Sequence, residues 1–194
     1  IKMVIFVDVA GLTNDLDRLE SLSKKYDFIL LEDAAEGLGS EYKNKKLGSH
    51  NHTSFFSFHI AKQITTVEGG CINTQNEEIF GKLKAIRDIG RYEPGYKHDL
   101  IGTNFRTTDI QSIIGLEQLK KIDRFISRRI KIANRFKTEI QNLQFQKIPN
   151  YATKHSYMLF FVTAENEIVR NKYVEKLRSE GIDARLSFYP IHQQ

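Results

Sequence analysis

Phe28-Ile-Leu-Leu-Glu-Asp33-Ala-Ala-Glu36 and, one strand later, Ser57-Phe-His-Ile-Ala-Lys62-Gln-Ile-Thr-Thr-Val-Glu-Gly69-Gly70 are the two stretches that decide the fold. Phe28 to Leu31 is a continuous apolar run of strand length, the pattern of a parallel strand covered on both faces. It ends on acids, so Asp33 falls at the strand's C-terminal end. Upstream, Lys2 to Val9 is an apolar, β-branched run that predicts another strand. Between the two, Thr13-Asn14-Asp15 reads as a helix start, with Leu16, Leu19, Leu22 and Tyr26 at helical spacing. Strand, helix and strand make a βαβ unit. In such sheets ligands bind outside the carboxyl ends of the strands, where Asp33 is placed.

Downstream, Tyr42 to Gly48 reads as a polar turn, Ser54 to Phe58 as a Phe-rich third strand, and Gly70 to Thr74 as a fourth. Glu77 to Gly90 predicts a helix stopped by its glycine. Residues 91–103, with Gly, Pro and Tyr, read as an irregular loop. Apolar residues then recur at helical spacing from Asp109 to about Leu143, which predicts one long helix bridging domains or forming an interface. After Pro149 the texture changes: Tyr157 to Thr163 reads as a strand, Val169 to Glu180 as a helix, and Ala184 to Phe188 as the start of another strand. The expected organisation is therefore 1–108 as part of a large α/β domain, 109–143 as a linking helix, and 144–194 as a partial small domain. The chain opens on Ile1 directly into a strand and stops at Gln194 without a cap, so it is expected to be cut at both ends.

Composition narrows the function classes. The 194 residues are 40% hydrophobic and 27% charged, ordinary for a globular protein. No apolar run approaches the ~20 residues of a membrane span, and no leader is visible. Cys71 is the one cysteine, which excludes a disulfide framework and makes the cytoplasm the default location; it is expected to be a small buried hydrophobe. The net charge of +5 raises the question of nucleic acid. The basic residues sit in one turn (Lys43, Lys45, Lys46) and along the long helix, the pattern of a solvated face. No nucleic-acid partner and no membrane partner is expected, and an anionic small molecule suits the charge equally well.

A lysine in a tight loop after one strand, with an acid at the carboxyl end of its neighbour, is the pair that pyridoxal phosphate chemistry uses. The amine forms a Schiff base with the cofactor aldehyde, and the acid keeps the pyridine nitrogen protonated. Ser57, five residues before Lys62, can direct its hydroxyl to the phosphate, and Glu68-Gly69-Gly70 lets the backbone turn tightly beside the lysine. Each residue also has a plain reading: a surface lysine, a cap or turn aspartate, a strand serine bonded to backbone. His50 and His52 suggest a metal, but with no third ligand at a sensible spacing they read as a turn, and no metal is expected. His59 could pack or act.

The two stretches, with Gly39-Ser-Glu-Tyr-Lys43, Leu47-Gly-Ser49, Phe56-Ser-Phe58, Gly102-Thr-Asn-Phe-Arg106, Asp109-Ile-Gln111, Gly115-Leu-Glu-Gln-Leu119 and Tyr189-Pro-Ile-His192, resemble the DegT/DnrJ/StrS family of pyridoxal-phosphate-dependent nucleotide-sugar aminotransferases over essentially the whole chain. The resemblance implies the large domain of a fold-type-I transferase, a mainly parallel sheet with flanking helices, plus the start of a small C-terminal α/β domain. It implies Lys62 as the Schiff-base lysine, Asp33 at the pyridine nitrogen, Ser57 at the phosphate, and Glu36 near the ring, where many members have Gln. Asn104 would reach a partner subunit's cofactor phosphate, and His192 would lie near the substrate. The implied reaction moves an amino group from an amino acid, glutamate in most of the family, to a keto-sugar nucleotide for lipopolysaccharide, glycan or antibiotic synthesis, in a homodimer with shared sites. The alternatives are a dehydratase-type relative, in which histidine replaces the lysine, and a non-catalytic regulatory member. Two departures stand out: His50-Asn51-His52 replaces Phe-Gly-Asp, and Val67 replaces a common Gly.

Overall fold

A computed structural model describes residues 1–141, 143–189 and 191–193. They divide into two compact units, Ile1–Arg135 with Ile148–Phe160, and Phe136–Lys147 with Phe161–Gln194. No helix among the described residues is long and apolar enough to cross a membrane.

The first unit is built on a four-stranded sheet. Strand β1 (Met3–Val7) leads through a short 3-10 turn (Val9–Gly11) into helix α1 (Leu16–Tyr26), and the chain returns as β2 (Ile29–Asp33) parallel to β1. The Asp15 side chain caps α1 by accepting the Arg18 N–H at 3.2 Å, and Asp27 ends it in the left-handed conformation. A hairpin of β3 (Glu41–Tyr42) and β4 (Lys45–Lys46) occupies the expected polar turn, with Lys43 and Asn44 both at positive φ as a two-residue hairpin turn requires. Strand β5 (Thr53–Ser57) then pairs parallel with β2, and β6 (Gly70–Asn73) pairs antiparallel with β5, giving the order β1-β2-β5-β6. Phe6, Leu16, Leu30, Tyr42 and Leu47 form the core between one sheet face and α1; fully burying such a side chain contributes about 1.5–3 kcal/mol. The other face is open within the described residues: Met3, Ile5 and Ile29 are about half exposed. The cover on both faces that the apolar run predicts is not supplied by these residues.

Helix α2 (Glu77–Arg87) is capped by Asn76, and its C-terminal end is closed by the Gly90 N–H bonding to Ala85 O at 2.7 Å. Cys71 is exposed, not buried as expected, because among the described residues β6 is an edge strand whose residues are all exposed. The single helix expected over 109–143 is two, α3 (Asp109–Leu119) and α4 (Ile122–Glu139). A Thr108/Gln111 capping box starts α3 at the expected residue. At its end the Lys121 N–H bonds to Gln118 O, three residues back, so the ladder tightens and the helix axis restarts.

The boundary near residue 144 also differs. After β7 (Gln144–Phe145), residues 148–160 return to the first unit, where β8 (Ala152–Lys154) pairs antiparallel with β3. The strand expected over Tyr157–Thr163 is only β9 (Val162–Thr163), which pairs with β7 in the second unit. Tyr157 and Met158 instead offer carbonyls to the Arg129 guanidinium. The second unit also holds helix α5 (Glu167–Ser179), capped by Asn166, and a 3-10 turn at Ile191–Gln193. No strand forms over Ala184–Phe188, where the backbone stays irregular.

Candidate active site

Because β2 and β5 are parallel neighbours, their carboxyl ends share one edge of the sheet. Asp33 is the last residue of β2 and Ser57 the last of β5. The loop that leaves β2 is fastened by the Ala34 N–H to Phe55 O and folds through successive turns, Gly37 N–H to Ala34 O and Ser40 N–H to Gly37 O. Asp33 Oδ1 accepts the Ala35 N–H at 3.0 Å. This Asx turn fixes the carboxylate at the strand end.

The loop that leaves β5 carries Lys62. Its neck is closed by the Phe58 N–H to Gly69 O at 2.8 Å and the Thr66 N–H to Phe58 O at 3.0 Å. Ile64 is buried beneath it. Gly70 is required at the neck, since a Cβ there would lie 2.7 Å from Phe56 O. Val67 adopts φ 73, a conformation costly for a β-branched residue. Ser57 Oγ accepts the His59 N–H at 3.2 Å, and His59 Nδ1 accepts the Ala61 N–H, so His59 is turned into loop structure at an exposed position.

The two loops meet at Glu36 and Lys62. Glu36 Oε1 lies 3.6 Å from Lys62 Nζ, and both side chains are about one-sixth exposed, at 16% and 17%. The other carboxylate oxygen accepts the Ala10 N–H at 2.7 Å. Ala10 itself has φ 62, and a Cβ on the adjacent Gly11 would lie 2.3 Å from Ser156 Oγ and 3.1 Å from Glu36 O. Gly11 is therefore a close-approach glycine that lets three segments converge at the Glu36 turn.

Asp8 and Glu32 lie fully buried next to this edge. The Asp8 N–H bonds to Asp33 O at 3.0 Å, which joins the group directly to the site strand. Burial first, and then the charge of Glu32, push the Asp8 carboxyl up to about 8, against hydrogen bonds from Asn14 that pull it down. Glu32 Oε2 lies 3.2 Å from His52 Nε2 and accepts the Gly48 N–H. Burial holds the neighbouring His50 below its ordinary range. The turn that carries the unusual His50-Asn51-His52 is thus packed against a buried acid pair.

Asn104 is not brought to this cluster by any described contact. It pairs in a bridge with Asp88, and its side chain accepts the Arg106 N–H, on an exposed segment strapped to the C-terminal end of α2. Arg106, ahead of Arg91, holds the Asp88 carboxyl below the usual carboxylate range. His192 is exposed and lies in the second unit. Sequence reasoning did not single out Gln63, which is buried beside Lys62, or Ser40 and Ser156. Gln63 was visible only as the neighbour of the lysine, and nothing in its local sequence marks its partners.

The donor set at the sheet edge fits pyridoxal phosphate: an amine for the aldehyde, a carboxylate for the ring nitrogen, and a hydroxyl for the phosphate. All three leave the carboxyl ends of adjacent parallel strands. Comparison with known proteins gives the same direction. The model of the DegT/DnrJ/EryC1/StrS aminotransferase family matches residues 1–194. The chain is 34% identical over 201 residues to a UDP-4-amino-4,6-dideoxy-N-acetyl-beta-L-altrosamine transaminase of Campylobacter jejuni, covering 100% of this chain and 53% of that protein. The solved Helicobacter pylori PseC, an aminotransferase of pseudoaminic acid biosynthesis, superposes with TM-score 0.88 at 33% identity, over 99% of this chain and 54% of that one. The Escherichia coli GDP-4-keto-6-deoxy-D-mannose-3-dehydratase, solved with bound hydrated pyridoxal phosphate, superposes with TM-score 0.79 at 32% identity, over 95% and 53%. The chain spans about half the length of each of these relatives.

Proposed function

The chain belongs to the DegT/DnrJ/EryC1/StrS aminotransferase family, and on that footing we propose that it carries the lysine-bearing part of an enzyme that moves an amino group from an amino acid, glutamate by preference, to a keto-sugar nucleotide. Pyridoxal phosphate, when bound, supplies the electron sink on which such a transfer depends. The observation that carries the proposal is the Lys62 amine, on the loop that leaves β5, 3.6 Å from the carboxylate of Glu36 on the loop that leaves β2.

The chain's own residues divide the work. Lys62 would hold the cofactor by its aldehyde and, once displaced by the donor, carry a proton on Nζ. Asp33, fixed by its Asx turn, would keep the ring nitrogen protonated. Ser57 would donate its hydroxyl to the phosphate. Glu36, anchored by the Ala10 N–H, would orient the lysine and face the ring. Asn104 and His192 are assigned on family resemblance, Asn104 to the cofactor phosphate of a partner subunit in a homodimer and His192 to the substrate. Residues 1–108 would then be part of the cofactor-binding large domain, 109–143 the linking segment and 144–194 part of the small domain, although 148–160 pack with the first unit. The proposed setting is amino-sugar synthesis in the cytoplasm.

The E. coli dehydratase in the family favours a second reading, removal of a sugar hydroxyl without amination. By family resemblance histidine replaces the lysine in that branch, so Lys62 supports amino transfer. The test is to give the full-length protein, loaded with cofactor, glutamate carrying isotopically labelled nitrogen and a panel of keto-sugar nucleotides. Labelled nitrogen in the sugar, absent with Lys62→Ala, is the expected result. Loss of a hydroxyl with no nitrogen gained would replace the proposal with dehydration, and no change in any sugar would remove it.

A further inference from the structure

We infer that Gln63 is a positioning residue, whose side-chain amide clamps the lysine loop to the Glu36 turn and so sets where the Lys62 amine stands. The inference rests on the cofactor role proposed for Lys62.

Gln63 is 4% exposed although it sits in a loop one residue from the site lysine. Its Nε2 donates to the main-chain oxygen of Glu36 and, at 3.0 Å, to Ser156 Oγ. The orientation of the amide follows from chemistry: a carbonyl oxygen can only accept, so the NH2 end must face Glu36. The amide oxygen is buried without a partner, a cost tolerated for the two donor bonds. Ser156 is itself fixed, since its N–H donates to Ser40 Oγ, and that hydroxyl donates to Gly11 O. Gln63 thus joins the lysine loop to a segment 93 residues later in the chain.

These bonds close a ring. Lys62 and Gln63 are consecutive residues, the Gln63 amide holds the backbone of Glu36, and the Glu36 side chain returns to the Lys62 amine. The Ala10 N–H pins the same carboxylate from the far side. Removing the amide opens the ring. It leaves the Glu36 carbonyl with just the long 3.5 Å bond from the Ser156 hydroxyl and that hydroxyl short of a donor, and among the described residues the two loops are then tied through the partly exposed Glu36–Lys62 pair. Among the described residues, no other hydrogen bond from the lysine loop reaches the Glu36 backbone.

The test uses full-length protein with Gln63→Met, which keeps the length and apolar stem and removes the amide, and Ser156→Ala, which removes one of the amide's two partners. Pyridoxal phosphate affinity and visible circular dichroism per bound cofactor are measured well below the melting temperature of each variant. Gln63→Met is expected to weaken binding about tenfold, equivalent to ~1.4 kcal/mol, and to change the dichroism, because the bound ring sits differently against its surroundings. Ser156→Ala is expected to weaken binding about threefold, with a smaller change of the same kind. A merely structural amide would lower the melting temperature and leave the dichroism per bound cofactor as it was; unchanged affinity and dichroism in Gln63→Met overturns the inference. If that variant does not fold, unchanged values in Ser156→Ala overturn it. Failure of the parent reading is distinct: the unsubstituted protein would then show no cofactor signal dependent on Lys62.

Discussion

Replacing Asp8 with Asn should remove a pH dependence of stability that the buried acid pair imposes. Asp8 and Glu32 are both fully buried, and the Asp8 carboxyl is raised from 3.8 to about 8, first by burial and then by the charge of Glu32. The folded chain therefore keeps the Asp8 proton up to about pH 8, whereas the unfolded chain releases it near its ordinary value. Between those limits the folded state binds more protons than the unfolded state, so stability is greatest in acid and falls as pH rises through the window. Each pH unit is worth ~1.4 kcal/mol for one proton, so from about pH 5 to about pH 7 the expected loss is roughly 3 kcal/mol. Asparagine keeps the shape, its oxygen can still accept from Asn14, and its amide can donate to Glu32 with no proton to lose. His50, lowered by burial, pushes stability the other way below its ordinary range, but it is common to both proteins and cancels in the difference. Urea unfolding of the two proteins across this range reads the effect directly. The difference in unfolding free energy should shift in favour of Asp8→Asn by roughly 3 kcal/mol as pH rises from about 5 to about 7. Lines that stay parallel would refute the shared burial of the two acids as the source.

Two further substitutions test the backbone that carries the site. Val67→Gly should stabilise the protein by ~1 kcal/mol, since relief of strain at φ 73 exceeds the entropy cost of glycine; a rise in melting temperature of about 2–4 °C is expected, and a fall would show that Val67 gains more from its contacts than the strain costs. Gly11→Ala should destabilise by about 2 kcal/mol or more, because its Cβ would press on Ser156 Oγ at φ 92; a urea midpoint unchanged from wild type would mean that the segment carrying Ser156 yields.

Much of the site was readable because it follows local rules. A strand-length apolar run ending in acids puts Asp33 at a strand end, and a Phe-rich strand followed by Lys62 does the same for Ser57; the parallel pairing of β2 and β5 then brings both to one edge. The start of α1 at Asp15 is written in its cap, and α3 starts at Asp109 where the sequence placed it. What could not be read depends on bonds between distant segments or on changes that leave the pattern untouched. The apolar periodicity runs through Leu116, Leu119 and Ile122 without a break, so a one-residue tightening at Lys121 divides the helix silently. Ala152-Thr-Lys154 has no strand signature of its own and becomes β8 only because the edge of β3 is available. Cys71 looks like a core residue, but among the described residues β6 is the last strand of the sheet. Gln63 gains its meaning from Ser156 and the Glu36 carbonyl, neither of which is adjacent in sequence.

The central claim, that Lys62 is the cofactor lysine, is tested most directly by chemistry at that residue. Full-length protein is incubated with pyridoxal phosphate, reduced with borohydride, digested, and its peptides are weighed. A pyridoxyl group on Lys62, at one equivalent per chain, and a Lys62→Ala protein that is not modified there or at Lys43, Lys45 or Lys46, is the predicted result. Modification spread over surface lysines with Lys62 spared would contradict it.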